Sequence, residues 1–315
     1  MNPWSQFWQQ GHPTTFGAYF KEGYEGPIKQ WFEARLQLNN SPVSMLELAC
    51  GNGALISMAL DFGLKGQYLG IDLAEVSIPG GIETRLKNQS QLEAQIRGGV
   101  SIEAIPLESH HFDYVCSIFG IEYSNVAKTI PEIARVLKSK GHFLGVLHHC
   151  DSVVSTMSAR ALNEYNLKDV RDFIDQLEVI ARQARGLSDL RALAQNPKAE
   201  KARKKINGYA DQYLGNTDLE TANASMFEFV THGLQFFKAL NHGPAVTQHF
   251  IKALYAETLG TRERHKQMCS VALTEQQMKQ FCDLLIKAGF SDPDVTILSS
   301  DGVVIGWAIC AQKLS

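Results

Sequence analysis

Two glycines, Gly51 and Gly53, stand after a short apolar run and directly before a helical one. A bare Cα lets a ligand approach the backbone, and the first turn of a helix offers free N–H groups to an anion. The spacing therefore favours an anion or cofactor site at this turn. A dinucleotide site would have a third glycine where this chain has Ile56, and a Walker loop would continue with Gly-Lys-Ser/Thr. Both of these classes are disfavoured.

The stretch LELACGNG, residues 46–53, resembles the first motif of class I S-adenosylmethionine-dependent methyltransferases. Glu47 matches the acidic residue of that motif, and Ala49, Gly51 and Gly53 match its alternating glycines, with alanine in place of the first. The resemblance implies that Glu47 attracts the ammonium of the methionine part, directly or through water. It also implies that backbone N–H groups of the turn receive the methionine carboxylate. S-adenosylmethionine is the implied cofactor.

Four later segments resemble further motifs of this family. In GIDLA, the Asp72 carboxylate is expected to accept the ribose hydroxyls, with helix capping as the alternative. SIEAIP resembles the adenine-facing turn, with Ser101 where the family often has Asp and Ile102 packed on the ring. FDYVCSIFGIEY resembles the strand under the methionine arm, and IARVLKSKGHFLGV resembles the helix and strand that follow. The implied cofactor-binding residues are Glu47, Ala49, Cys50, Gly51, Gly53, Asp72, Leu73, Ser101, Ile102, Ser117 and Phe119.

The acceptor of the methyl group is expected beyond the carboxyl ends of the fourth and fifth strands. Alignment and exclusion of water do most of the work in such a transfer, and a base is needed only if the acceptor is protonated at the working pH. The candidate catalytic residues there are Glu122, Tyr123, His148 and His149. We interpret Glu122 or Tyr123 as positioning the acceptor and one histidine as taking its proton. Packing and backbone hydrogen bonds are the alternative roles.

The stretch HHCD, residues 148–151, also suggests a metal site. Neighbouring residues of a strand point to opposite faces, so two adjacent histidines seldom bind one ion. A zinc site that combines this pair with His110 and His111 is disfavoured, and no metal is predicted.

Alternating strands and helices position these residues. The predicted strands cover 43–48, 66–73, 100–105, 112–120, 142–149, 294–300 and 303–312, and the predicted helices between them cover 53–62, 82–97, 130–141 and a capped segment from Thr274. This alternation predicts an α/β fold, with a Rossmann-like, seven-stranded, mostly parallel sheet and helices on both faces. The pattern stops between the fifth strand and Thr274, where an all-helical insertion is expected.

Three parts are predicted along the chain. Residues 1–42 form an aromatic lid over the cofactor and a helix over 27–38, with simple packing against the sheet edge as the alternative to a lid. Residues 43–149 and 271–315 form the core that binds S-adenosylmethionine. Residues 150–270 form the helical insertion, either a substrate cap or a homodimer interface. The aromatic residues of the first part are Trp4, Phe7, Trp8, Phe16, Tyr19, Phe20 and Tyr24.

Charge and composition limit the kinds of partner that we expect for this protein. The net charge of −3 gives no overall reason to expect nucleic acid or an acidic membrane. No apolar run reaches about 18 residues, and the first residues lack the pattern of a secretory signal. The six cysteines are scattered, as free thiols are in a reducing compartment. We expect a cytoplasmic protein with a small-molecule acceptor and no membrane partner.

Other functions stay open. The basic run between Arg182 and Lys205 suggests an RNA methyltransferase, but nucleic acid is disfavoured because no aromatic residues are interleaved with the run. A protein methyltransferase, a non-catalytic protein that holds S-adenosylmethionine, and a nicotinamide oxidoreductase are the remaining alternatives.

Overall fold

The computed structural model describes residues 2–15, 23–36, 41–88, 91–187, 189–216, 218 and 222–315. The chain divides into two compact units. Unit 1 contains Met1–Met157 and Gln267–Ser315, and unit 2 contains Ser158–Lys266. Within the described ranges, no helix combines the length and the apolar character that a membrane crossing requires.

Unit 1 contains a single seven-stranded sheet. Its strands are β1 (Val43–Leu48), β2 (Gly66–Ile71), β3 (Leu92–Arg97), β4 (Phe112–Ile118), β5 (Leu137–Leu147), β6 (Asp294–Ser300) and β7 (Val303–Gln312). They lie in the order β3-β2-β1-β4-β5-β7-β6. Strands β1 to β5 pair in parallel, while β7 is antiparallel to both β5 and β6. The predicted fold class is confirmed.

Helices cover both faces of this sheet. They are α1 (Pro3–Trp8), α2 (Pro27–Arg35), α3 (Ala54–Asp61), α4 (Gly80–Asn88), α5 (Val126–Val136) and α12 (Glu275–Lys287). One buried cluster joins α2 and α3 to the sheet, and a second joins α5 and α12 to the other face. Helix α12 begins with the predicted capping box, in which Thr274 and Gln277 satisfy each other's backbone N–H groups.

The sheet order reverses at the centre. From β1 the chain builds outward to β3, then crosses back to place β4 on the other side of β1. The crevice outside the carboxyl ends of β1 and β4 lies at this switch point, where open α/β sheets bind their ligands.

The predicted third strand is wrong. Residues 100–105 form turns in which Ile102 and Ile105 are buried, and β3 instead lies within the segment predicted as a helix over 82–97. Leu92–Arg97 alternates inward apolar side chains with exposed polar ones because it is the edge of the sheet. In a strand this short and polar, the alternation of apolar and polar residues is hard to distinguish from the pattern of a polar helix, so the sequence predicts the wrong element.

The boundary between α5 and β5 also differs from the prediction. The helix starts at Val126, after the capping residue Asn125, and ends at Val136, not at Gly141. Strand β5 begins at Leu137, which pairs with Phe112 of β4. Lys138 and Lys140, followed by Gly141, match the pattern expected at the carboxyl end of a helix, where basic residues precede a glycine. In the structure both lysines belong to strand β5.

Unit 2 and its flanks are helical. The helices from β5 to α12 are α6 (Val153–Glu164), α7 (Leu167–Ala184), α8 (Pro197–Leu214), α9 (Ala224–Leu234), α10 (Phe236–Leu240) and α11 (Pro244–Val271), with a short 3-10 helix at Leu190–Gln195. A separate buried cluster centred on Phe173 and Phe236 holds unit 2 together. Helices α9 and α10 meet at Gln235.

Candidate cofactor and acceptor site

The glycine turn after β1 is built from left-handed backbone. Ala49 has a φ of 53°, Gly51 a φ of 51° and Gly53 a φ of 81°. Glycine adopts this region without strain and alanine does so at a cost, which explains the alternating small residues. Helix α3 starts directly after Gly53, so its first N–H groups lie beside the turn.

The amino-terminal segment packs on this turn. A Cβ added to Gly51 would lie 2.5 Å from the indole ring of Trp8, so the missing side chain makes room for that ring. The Asn52 amide donates hydrogen bonds to the carbonyl oxygens of Trp8 at 2.8 Å and His12 at 2.9 Å. The Ser5 hydroxyl accepts a hydrogen bond of 3.0 Å from the Glu75 N–H. The remaining predicted lid aromatics, Phe16, Tyr19 and Phe20, lie outside the described residues.

Asp72 fastens the turn to the end of β2. One carboxylate oxygen accepts a hydrogen bond of 2.8 Å from Gly51 N–H, and the other accepts one of 2.7 Å from Ala74 N–H. The side chain is 8% exposed, and burial raises the pKa of its carboxyl. Each carboxylate oxygen can accept a second hydrogen bond, so this structural role leaves room for a hydroxyl ligand.

Glu47, which is predicted to attract the methionine ammonium, is buried between strands and does not line the cavity described below. It is 2% exposed, and the Tyr68 hydroxyl donates a hydrogen bond to its carboxyl group. Burial is the main reason that its pKa rises to about 8, so the carboxyl is largely neutral at pH 7. Its contact joins β1 to β2 within the protein.

A cavity of about 570 Å³ opens at the carboxyl end of the sheet. Its volume lies in the range of small-molecule sites. The predicted cofactor residues that line it are Ala49, Asp72, Leu73, Ser101, Ile102 and Phe119. Tyr123 is the candidate catalytic residue in its wall. The predicted cofactor residues outside the lining are Glu47, Cys50, Gly51, Gly53 and Ser117.

Ser117 and Cys50 support the turns that form the wall. The Ser117 hydroxyl donates to Leu48 O and accepts from Ile121 N–H, both at 3.0 Å, and so ties the ends of β1 and β4 together. The Cys50 thiol donates to the Gly51 carbonyl oxygen at 3.3 Å. Both residues therefore act on the site through its backbone.

Comparison with known proteins identifies the domain that carries this cavity. A family model described as a methyltransferase domain matches residues 46–145, which run from Leu46 in β1 to Gly145 near the end of β5. This segment is similar to the class I S-adenosylmethionine-dependent methyltransferase family. S-adenosylmethionine is the cofactor of this family.

The individual proteins that this chain is similar to are distant. An uncharacterised protein of Methanocaldococcus jannaschii is 28% identical over 153 residues, and the match covers 47% of this chain and 62% of that protein. A carbon methyltransferase, CurJ, is 12% identical with a TM-score of 0.46 and covers 100% of this chain and 62% of its own. An S-adenosylmethionine-dependent methyltransferase of Mesorhizobium loti is 19% identical with a TM-score of 0.31 and covers 41% of this chain and 59% of its own. Both TM-scores lie below 0.5, so the family model carries the assignment.

Tyr123, His148 and Glu122 form a connected group at this end of the methyltransferase sheet. The Tyr123 hydroxyl lies 3.2 Å from His148 Nε2, and one Glu122 oxygen accepts a hydrogen bond of 2.8 Å from His148 N–H. The imidazole stacks on the Phe119 ring, with centroids 4.6 Å apart. Among the described residues, Glu122 Oε2 and His148 Nδ1 are buried without a hydrogen-bond partner.

Burial sets the charge state of this group. It raises the pKa of Glu122 to about 7 and lowers the pKa of His148 to about 4. It also raises the pKa of Tyr123 well above the usual value. At neutral pH the imidazole and the phenol are therefore uncharged, while Glu122 is divided between its two protonation states.

His149 points away from His148, as alternation along the strand requires. Its ring packs on Trp307, with centroids 4.5 Å apart, and its Nδ1 accepts a hydrogen bond of 2.9 Å from Asp151 N–H. Potential ligand atoms of His149, Cys150 and Asp151 lie within 4.8 Å of one another. Since Nδ1 already accepts a backbone proton and Asp151 is exposed, this cluster is explained by the local turn.

One part of the cavity wall is not predicted from the sequence. The end of α11 contributes Gln267, Ser270 and Val271. The Gln267 side-chain oxygen accepts a hydrogen bond of 2.8 Å from the Trp4 indole N–H, which holds α1 at the cavity. A contact between residues 263 positions apart depends on the tertiary fold, and no short motif encodes it.

Proposed function

We propose that this protein transfers a methyl group from S-adenosylmethionine to a small-molecule acceptor bound in the cavity beside Tyr123. One observation carries the proposal. Six residues that were assigned to the cofactor come from four separate loops and line the same cavity as the Tyr123 side chain. Such convergence at the switch point of the sheet is the arrangement that a donor and an acceptor need.

The residues present fit the cofactor. Asp72 offers carboxylate oxygens to hydroxyl groups, and Leu73 and Ile102 offer apolar surface to a flat ring. When bound, S-adenosylmethionine would supply a methyl group already activated by its sulfonium. The protein then has to orient the acceptor and keep water away.

Tyr123 is the residue that we propose to orient the acceptor. Neutral His148 can accept the phenol proton at Nε2, which leaves the phenol oxygen free to accept a hydrogen bond from an acceptor O–H or N–H. His148 positions Tyr123 in this scheme, and Glu122 holds the His148 backbone. His149 has no part in it, since its ring lies against Trp307.

Tyr123→Phe tests this role. The variant keeps the ring that packs against Trp4 but loses the hydroxyl. We expect kcat to fall by about tenfold or more, because one hydrogen bond to the reacting group is lost, while the affinity for S-adenosylhomocysteine stays unchanged. An unaltered kcat would remove Tyr123 from the orienting role.

The basic run of unit 2 supports a small-molecule acceptor over RNA. Arg191, Arg203 and Lys205 are paired with carboxylates of Asp189, Glu200 and Asp172 within that unit. These pairs reduce the net positive charge that the run would present to RNA phosphates. The substrate-cap role of residues 150–270, a homodimer and a cytoplasmic location remain predictions.

Methyl transfer from labelled S-adenosylmethionine into a cell extract tests the proposed function. The extract is separated into RNA, protein and small-molecule fractions after incubation. Label in the small-molecule fraction is the expected result. Label in the RNA or protein fraction would show that the acceptor is RNA or protein and not a small molecule. Tight binding of S-adenosylhomocysteine with no transfer at all would favour a non-catalytic binding protein.

A further inference from the structure

The cavity has an aromatic side next to its cofactor-binding side. Trp4, Trp8, Phe119 and Tyr123 all line it. Trp4 meets Tyr123 edge to face, with centroids 5.5 Å apart, and lies nearly parallel to Trp8 at 6.3 Å. The hydrogen bond from the Trp4 indole to Gln267 fixes the ring further. These rings therefore form a preorganised wall and not a loose apolar patch.

The charged side chains of the cavity are all acidic. Among the described residues that line it, Asp72 and Glu103 carry carboxylates and none is lysine, arginine or histidine, while Lys128 outside the lining pairs with Glu103 at 3.4 Å. The next acidic group, Glu122, is buried beside Tyr123 in the chain and has an oxygen without a partner. An anionic ligand would lose its hydration here without gaining a cation from the lining, whereas a cation would meet aromatic rings.

We infer that the acceptor is an aromatic compound without negative charge, and that a protonated amine on it strengthens binding. The inference rests on the proposed function and narrows its substrate class. The aromatic wall provides stacking surface for a flat ring, and the faces of Trp4, Trp8 and Tyr123 attract a cation. The same charge pattern disfavours acceptors that carry a carboxylate or a phosphate.

Three ligands of nearly the same shape test the inference: 2-phenylethylamine, 2-phenylethanol and phenylacetate. Each is titrated by calorimetry into the full-length protein saturated with S-adenosylhomocysteine. We expect the amine to bind about tenfold more tightly than phenylacetate, with the alcohol between them, since one desolvated cation–π contact is worth roughly that factor. Equal or tighter binding of phenylacetate would overturn the charge argument. Failure of all three to bind at millimolar concentration would overturn the aromatic class.

Two variants test whether the aromatic wall causes the preference for the amine over phenylacetate. Trp4→Leu removes an aromatic face from the cavity, and Trp31→Leu is the matched control because Trp31 is buried in the same unit but is not in the lining. The ratio of amine to phenylacetate affinity should fall in the first variant and stay constant in the second. A constant ratio in both would refute the role of Trp4. The preceding saturation with S-adenosylhomocysteine keeps the two questions apart, because failure of that step would count against the proposed function itself.

Discussion

Replacement of Glu47 by glutamine should make the stability of unit 1 less dependent on pH. In the folded protein burial raises the pKa of this carboxyl from 4.5 to about 8. Between these values the folded state holds a proton that the unfolded state has lost, so the free energy of unfolding falls as the pH rises. Glutamine cannot titrate, yet it retains a carbonyl oxygen to accept the Tyr68 hydroxyl proton.

The size of the effect follows from the raised pKa of Glu47. From pH 6.5 to pH 8, a carboxyl with a folded pKa of about 8 lowers the free energy of unfolding by about 1.5 kcal/mol, on a scale of about 1.4 kcal/mol per pH unit for one full proton. His148 does not interfere in this window. Its folded pKa of about 4 is depressed, so its pH-dependent contribution is confined to values below about 6.5.

Urea unfolding followed by tryptophan emission measures the effect. All four tryptophans, Trp4, Trp8, Trp31 and Trp307, lie in unit 1, so the signal reports that unit. The difference in the free energy of unfolding between Glu47→Gln and wild type should grow by about 1.5 kcal/mol from pH 6.5 to pH 8, in favour of the variant. Glu93→Gln, which removes an exposed carboxyl of β3, is the control and should follow wild type. Parallel loss of stability in wild type and Glu47→Gln would refute the reasoning.

The same variant bears on cofactor binding. Glu47 is outside the cavity lining, so the affinity of Glu47→Gln for S-adenosylhomocysteine should match that of wild type. A loss of tenfold or more would instead support the predicted contact between Glu47 and the methionine ammonium.

Three further predictions concern the glycine turn and its surroundings. Asp72→Ala leaves Gly51 N–H and Ala74 N–H without their acceptor, so urea unfolding should show a loss of about 2–4 kcal/mol, and calorimetry should show weaker binding of S-adenosylhomocysteine. Gly51→Ala places a methyl group 2.5 Å from Trp8 in left-handed backbone, and a lower melting temperature with a red-shifted tryptophan emission is expected. Deletion of residues 1–24 should raise the dissociation rate of S-adenosylhomocysteine in stopped-flow measurements if that segment covers the cofactor; an unchanged rate would favour a packing role.

The sequence predicts best where burial imposes a simple pattern. Strand β1 is buried along most of its length and β6 and β7 form a hairpin, and their predicted limits agree with the structure. Strand β3 was misplaced because an edge strand lacks the continuous apolar run of a central one. The turn after β1 was recognisable because left-handed backbone restricts the residue types that it accepts.

The site was less predictable than the fold. Spacing identified Asp72, but only the structure shows that its carboxylate already holds two backbone N–H groups. Spacing also suggested a charged role for Glu47, whereas burial beside Tyr68 favours its neutral form. The protonation state of a buried carboxyl depends on desolvation by residues that are distant in the sequence, so a local motif cannot predict it.

The position of Trp8 on Gly51 has a consequence for any preparation of this protein. If the bound cofactor alters that packing, thermodynamic linkage requires the packing to alter cofactor affinity by the same factor. An antibody, a fusion tag or a crosslink that restrains helix α1 would then act as an effector of a pocket that it never touches. Affinities measured with the amino-terminal helix free and with it tethered would differ by the coupling factor between the two events.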